Sequence, residues 1–298
     1  CILAGHALDQ GTDQQRARWL RPLVEGEIVG AFATSEPGAS SDLTPSAVAT
    51  DATRDGDVWV LNGRKRWITN SVAAGIIVVL ARTGDSLTTF LVPGDSPGLR
   101  IGVADRKLGN RAQITADVIL DDVRLDDSHV LGKVGRGLTV ALQTLTYGRI
   151  GIAAAGVGMA QAAFDRTAAH LASRSAFGGL LASKQHWQFV MARRAAQIEC
   201  ARSLYLKAAV RLDGGVRFPE PEAAMAKLLG SEAAVEMARD AVQAFGGLGF
   251  TVERGADGLE GPVEAIYRDS KIGEIYEGSN EIQQWVIARH IFGREISG

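Results

Sequence analysis

Cysteine is nearly missing from this sequence: only Cys1 and Cys200 occur among 298 residues. They lie far apart, with no CxxC or His-rich spacing, so neither a disulfide framework nor a zinc site is implied, and a reducing, cytoplasmic setting fits. A run of basic residues is missing too, and the formal net charge is −2. That argues against nucleic acid, which needs a concentrated phosphate-neutralising face. The apolar stretch 75–80 is too short to cross a bilayer. Residues 2–8 lack the basic start of a signal peptide and run into Asp9. No GxGxxG follows a strand and no βαβ alternation occurs, so a redox cofactor, if used, is held by a fold other than Rossmann. His6, His129, His170, His186 and His290 show no ligand spacing, and residues 255–261 carry too few carboxylates for a calcium loop. No metal is expected.

What is present is ordinary for a globular enzyme: 46% apolar and 22% charged residues, in a chain long enough for two domains. It begins with Cys1 rather than Met, part-way along a helical pattern, so an earlier start is expected.

Residues 1–27 read as helical, broken at Gly11-Thr12-Asp13, where Thr12 or Asp13 can cap the second piece. Residues 28–132 read as strands and turns. Asn62-Gly63 between two β-rich runs predicts a hairpin turn. Residues 75–80 predict a fully buried strand with 87–92 beside it, and 115–123 alternate as a half-buried strand does. With no long helix interrupting, an antiparallel sandwich or barrel is expected. Residues 133–298 read as helices over 138–173, 180–212, 221–245 and 280–291, hence a four-helix bundle. The fold class is therefore α+β, with a β domain followed by a helical bundle.

Several residues could carry chemistry, each with a plainer alternative. Glu277, in Tyr276-Glu277-Gly278-Ser279, sits on a turn before a helix that Ser279 can cap. In an apolar cleft its pKa would rise and suit a general base; otherwise it is a solvated Glu. The run Ser35-Glu36-Pro37-Gly38-Ala39-Ser40-Ser41-Asp42 could hold a polar ring edge or a phosphate, or be a plain loop. Trp67 and Thr69 would share one face of a strand and could cover and hydrogen-bond a flat heterocycle, unless Trp67 is core. Arg174 closes a helix, where the dipole favours it, but a guanidinium also grips pyrophosphate. Gln243 to Gly247 is a glycine helix stop or a close backbone approach to a ligand. Arg149 could be an ordinary surface charge.

Taken in order, Ser35-Glu36-Pro37-Gly38…Ser41-Asp42, Trp67-Ile68-Thr69-Asn70, Gly148-Arg149-Ile150-Gly151, Arg174…Phe177-Gly178, Gln243…Gly246-Gly247, Tyr267-Arg268-Asp269 and Ile275-Tyr276-Glu277-Gly278-Ser279…Ile282-Gln283 closely resemble the acyl-CoA dehydrogenase family. The resemblance covers nearly the whole chain and reverses the plainer readings. It implies an N-terminal helical domain, mostly absent here with residues 1–27 its remnant, then a middle β domain and a C-terminal four-helix bundle. It implies FAD, lined by Phe32 and Ser35, covered by Trp67 and hydrogen-bonded by Thr69. Arg174, Phe177 and Gln185 would meet its adenosine diphosphate half, as would Gln243, Gly246 and Gly247 of a neighbouring subunit; Ser279 and Glu281 would lie beside it. Ser41, Arg149 and Gly278 would meet the acyl-CoA substrate. Glu277 matches the family's base. The alternative position for that base, before the Arg, holds Gly148. The implied reaction is α,β-dehydrogenation of a short- or branched-chain acyl-CoA to a trans-2-enoyl-CoA. Electrons would pass to an electron-transfer flavoprotein, and the chain would form a dimer or tetramer. An acyl-CoA oxidase, or a truncated flavin- or acyl-CoA-binding protein without turnover, are the alternatives. Departures from the family pattern are Thr146, Gln113, Ser40 and an insertion over 254–261.

Overall fold

The computed structural model describes residues 1–39, 41–252 and 262–297. Ser40 and the 254–261 insertion, with its calcium-like loop, lie outside them. The chain forms two compact units: Cys1–Lys107 with Arg111–Gly148, and Leu108–Asn110 with Arg149–Gly298.

The first unit opens with α1 (Ile2–Asp9), a single turn α2 (Asp13–Gln15), a π-type turn and α3 (Arg21–Glu25). Thr12 caps α2 as expected: its hydroxyl accepts from Gln15 N–H, and Gln15 Oε1 accepts from Thr12 N–H. Strands β1 (Val29–Ala33), β2 (Asp51–Asp55), β3 (Val58–Thr69), β4 (Ala74–Thr83), β5 (Ser86–Pro93), β6 (Leu99–Ile101), β7 (Thr115–Asp126) and β8 (Val130–Leu131) form one sheet in the order β6-β7-β3-β2-β4-β5-β8, with β1 also on β4. Most pairs are antiparallel, as expected, but β1 and β2 both run parallel to β4. A parallel pair needs a long crossover, which residues 34–73 supply. Strand β4 is buried from Ile76 to Ala81 because both its faces are covered. Ile76 and Val78 pack with Ala4, Ala7 and Leu8 of α1, whereas Ile77, Val79 and Ala81 join Phe90, Leu61 and Val118.

The expected turn at Asn62-Gly63 is not there. Both residues lie inside the continuous strand β3, and the hairpin turns instead at Gly56-Asp57. Gly63, at φ 153°, marks an irregularity against β7, and a Cβ there would meet Thr50 at 2.5 Å. The glycine serves close approach of backbone rather than a reversal of the chain.

The second unit is built on the long helices expected: α4 (Gly137–Ser173) from Arg149 onward, α5 (Gln185–Asp213), α6 (Glu222–Phe245) and α9 (Asn280–Phe292). The shorter α7 (Gly247–Phe250), α8 (Pro262–Ser270) and α10 (Arg294–Ser297) are additional. Val157, Ala160, Ile198, Ala233, Met237 and Val263 form the core between α4, α5, α6 and α8. Helices α4 and α6 meet at Gly156 and Gly230: a Cβ on Gly156 would stand 2.4 Å from the Gly230 carbonyl. Residues 108–110 are tied to α8, where Asn110 N–H donates to Asp269 Oδ1 at 2.6 Å. Among the described residues no helix is long and apolar enough to cross a membrane, and no group of His, Cys, Asp and Glu could hold a metal.

Candidate active site

In the first unit the Ser35 loop follows β1 directly. Glu36 turns inward, and its carboxylate accepts from Ala49 N–H (2.7 Å), Thr50 N–H (3.0 Å) and Lys65 Nζ (2.7 Å). Burial works against that charge, but Lys65 and the hydrogen bonds from Lys65 and Thr50 hold the carboxyl below its usual range. Ser35 is half-buried, and its carbonyl accepts from Arg66 N–H at 2.9 Å. Ser41 is exposed. Phe32 packs its ring against the apolar clusters around Val78 and Leu80.

Strand β3 departs from regular alternation here. Its register against β7 shifts between Lys65 and Ile68, so two residues bulge opposite one. Trp67 sits in the bulge at φ 58°, and the residue is 56% exposed. The expected core alternative for Trp67 is thus wrong, and beyond the bulge the burial alternates again, with Ile68 buried and Thr69 half-buried. Arg66, held by Asp117 and Asp105, backs the Trp67 ring with its guanidinium carbon 5.4 Å from the centroid. Thr69 is half-buried at the strand end.

In the second unit Arg174 ends α4 and leads into a hairpin of Ser175–Ala176 with Gly179–Leu180. Phe177 (φ 49°) and Gly178 (φ 76°) form its two-residue turn, both with the positive φ that a type I′ reversal requires. This holds a strained, non-glycine residue at the tip, 95% exposed. Lys184 Nζ donates to the Phe177 carbonyl at 3.0 Å, and Gln185 starts α5 with an exposed side chain. Gln243, Gly246 and Gly247 lie exposed at the end of α6, where Gly246 (φ 61°, ψ −135°) takes a conformation closed to other residues.

Glu277 occupies the turn before α9 at φ 55°, followed by Gly278 at φ 89°. Gln283, fully buried in α9, reaches back and donates through Nε2 to the Gly278 carbonyl at 2.8 Å. The Glu277 carboxyl is half-buried, with Oε2 out of water and without a protein partner. Burial pushes its pKa up to about 7, against the opposing pull of Lys227 and Arg149. The Tyr276 phenol is pushed up to about 12 by burial and by Glu277, so it stays neutral. Ser279 stands at the N-cap but makes no capping bond; its hydroxyl goes to exposed Glu281, which its own backbone N–H and Ser279 hold below the usual carboxylate range.

Arg149 is not a surface charge: it is 7% exposed and donates to Glu220 Oε1 at 2.6 Å, while its Nε is buried and unpartnered. Sequence reasoning missed Lys227, whose side chain is wholly buried on α6 and donates to Asn280 Oδ1 at 2.9 Å. Burial draws its pKa down to about 8, against the attraction of Glu277 and Glu274. A signal was available: Lys227 interrupts the stripe of small residues Ala223, Ala226, Gly230, Ser231 and Ala234 at helical spacing, on the face α6 buries. The buried pair Glu36–Lys65 was missed as well.

Half-protonated near neutrality, with Oε2 free of a partner among the described residues and in the field of two buried cations, the Glu277 carboxylate can accept a proton from a weak carbon acid. Residues 31–123 match the family model described as acyl-CoA dehydrogenase, middle domain, and residues 135–292 that described as acyl-CoA dehydrogenase, C-terminal domain. The mitochondrial short-chain specific acyl-CoA dehydrogenase of Rattus norvegicus is 44% identical over 295 residues, 97% of this chain and 69% of the relative. The solved butyryl-CoA dehydrogenase from Megasphaera elsdenii superposes with a TM-score of 0.89 at 36% identity, over 97% of this chain and 75% of its own. A glutaryl-CoA dehydrogenase from Mycobacterium smegmatis, solved in complex with FADH2, gives 0.87 at 30% identity, over 98% and 75%.

Proposed function

The chain belongs to the acyl-CoA dehydrogenase family, and from that premise we propose that it converts an acyl-CoA thioester to a trans-2-enoyl-CoA, with FAD as cofactor and Glu277 as the base. One observation carries the reading: a carboxyl on a positive-φ turn with Oε2 buried and unpartnered, and a pKa raised to about 7. The residues present fit a flavin. Trp67 and Phe177 offer flat apolar faces held out by strained backbone, and Gly246 and Gly247 leave bare backbone where a ligand can approach. Ser35, Thr69, Ser279 and Glu281 would add polar contacts to it, with Phe32 behind them, and Arg174, Gln185 and Gln243 would meet its phosphates and adenosine.

When bound, FAD supplies the acceptor for the hydride that leaves the β-carbon. The protein's own part is proton removal and positioning. Glu277 takes the α-proton, and its carboxyl is matched to that task because a base poised near the working pH combines availability with driving force. The backbone N–H of Glu277 is suited to steady the thioester carbonyl as charge develops on it. Gln283 keeps the turn from swinging, which holds the reacting groups in register. Arg149, Ser41 and Gly278 would line the substrate's path.

The match to short-chain relatives supports a short or branched acyl group. An electron-transfer flavoprotein is the acceptor in this reading. Exposed Leu248, Phe250 and Val252, next to Gly246 and Gly247, support a dimer or tetramer, and the scarcity of cysteine supports a reducing compartment such as the cytoplasm. Anaerobic titration with acyl-CoAs of graded length, followed by flavin bleaching, tests the reading. Glu277→Gln should keep the yellow colour and lose the bleaching; bleaching retained in that variant removes Glu277 as the base.

A further inference from the structure

A lysine with no exposed surface is uncommon, because an ammonium loses its hydration on burial. Lys227 is such a residue, and among the described residues no carboxylate lies within ion-pair distance of it. Its hydrogen-bond partner is neutral: Nζ donates to Asn280 Oδ1 at 2.9 Å, and Ser231 Oγ donates to the same oxygen at 3.1 Å. Asn280 is itself buried and is the first residue of α9, three positions after Glu277. Helix α6 therefore grips the downstream end of the Glu277 turn through two hydrogen bonds to one side-chain oxygen. Gln283 grips its middle from inside α9.

A role in structure alone would be served as well by an apolar side chain of similar volume, without the cost of a buried charge. What a charge adds is a field. Lys227 feels Glu277, Glu274 and Glu281 as attractive and Arg149 as repulsive, and Glu277 in turn feels Lys227 and Arg149. Arg149 is already engaged by Glu220, whereas among the described residues no carboxylate is bonded to Lys227. Its field is thus the less compensated of the two at the base.

We propose that Lys227 is a positioning residue for the base, its buried ammonium fixing the Glu277 turn through Asn280 and favouring the charged form of the Glu277 carboxyl. The inference rests on the reading of Glu277 as the base and adds a residue that works through it. Without Lys227, burial acts on Glu277 with its largest opposing charge removed, and the carboxyl holds its proton to higher pH.

The test uses the holoenzyme with Lys227→Met, which keeps approximate volume and drops the charge. Infrared difference spectra against Glu277→Gln read the midpoint of the Glu277 carboxyl with no turnover. Anaerobic bleaching by a four-carbon acyl-CoA reads the same midpoint through the reaction. Both should move to higher pH by about one unit, the scale on which a neighbouring opposite charge shifts a carboxyl. Asn280→Asp, which neutralises the ammonium while leaving it in place, should move them the same way and carries the test if Lys227→Met does not fold. An unmoved midpoint in the folded variant, with only melting temperature or flavin content reduced, makes Lys227 a packing residue and overturns the proposal. Bleaching that survives in Glu277→Gln instead removes the underlying assignment, and the two failures are told apart by that control.

Discussion

Lys65 Nζ lies 2.7 Å from Glu36 Oε1, and neither side chain reaches water. The pair joins the Ser35 loop to β3 two residues before Trp67, so the two stretches proposed to meet the flavin are tied by a buried ion pair beside the bond from Arg66 N–H to the Ser35 carbonyl. Breaking it from one side leaves an uncompensated buried charge. Lys65→Met and Glu36→Gln should each destabilise the first unit by roughly 3–5 kcal/mol. The double variant should lose much less than the sum, because no charge is then stranded, although the Ala49 and Thr50 N–H groups keep only a neutral acceptor. Denaturant unfolding of the four proteins checks this. Strictly additive losses would mean that the two residues do not act as a unit.

The crossing of α4 and α6 predicts opposite outcomes for glycine-to-alanine changes a few positions apart in one helix. At Gly156 a Cβ would stand 2.4 Å from the Gly230 carbonyl, and at Gly230 it would stand 2.8 Å from the Ala153 carbonyl. Backbone cannot step aside as a side-chain end can, so Gly156→Ala and Gly230→Ala should each cost about 1–3 kcal/mol. Gly158, also in α4, has nothing within 4 Å of its built Cβ. Gly158→Ala should stabilise by up to about 1 kcal/mol through helix propensity. Thermal unfolding of the three variants separates the cases, and a loss at all three would make the effect one of glycine content rather than of the crossing.

The long helices were legible because alanine-rich segments at 3.6-residue spacing, bounded by glycine and proline, have few other ways to bury a face. The run 75–80 was legible for the matching reason in a strand covered on both sides. The glycine in Asn62-Gly63 misled because the same residue answers two needs, a left-handed turn and a missing side chain where Thr50 comes close, and the local sequence does not separate them. The bulge at Trp67 was hidden because it arises from pairing with β7, some fifty positions away. At the base, Glu277 was visible through its motif. Its environment was not: Lys227, Asn280, Ser231 and Gln283 converge on it from two helices, and a charge buried by tertiary packing carries no short-range pattern beyond its misfit within an apolar stripe.

Gly63→Ala tests the reassigned strand. Were Asn62-Gly63 an exposed turn, the change would be a small backbone effect. Inside β3, a Cβ would meet the Thr50 Cα at 2.6 Å and its side chain at similar distance, with the residue at φ 153°. The cost should reach about 1–3 kcal/mol. Pairing Gly63→Ala with Thr50→Gly, which removes the Oγ1 and Cβ that would stand 2.5 and 2.7 Å away, should recover little, because the Thr50 Cα at 2.6 Å remains. Substantial recovery would place the conflict in the Thr50 side chain alone.

The raised proton affinity of Glu277 has a stability consequence that can be measured apart from activity. Its folded value, about 7, lies above the ordinary 4.5, so between those limits the native state binds the proton more tightly than the unfolded chain. Stability from this group is therefore full below about pH 4.5 and is lost as pH rises through about 7. The whole loss is bounded by the shift at roughly 3 kcal/mol, and is smaller to the extent that water reaches the other carboxyl oxygen. Glu277→Gln has no such titration. The variant should gain on the wild type between pH 5 and pH 8, by up to that amount, even as it loses bleaching by acyl-CoA. Over the same range the wild-type bleaching rate should rise with pH about a midpoint near 7, because the base must be charged to act. Unfolding of both proteins at the two pH values, with flavin content matched, provides the comparison. A stability difference that stays constant from pH 5 to pH 8 would show that the Glu277 carboxyl titrates as an ordinary one, and its poise as a base would then have no structural origin.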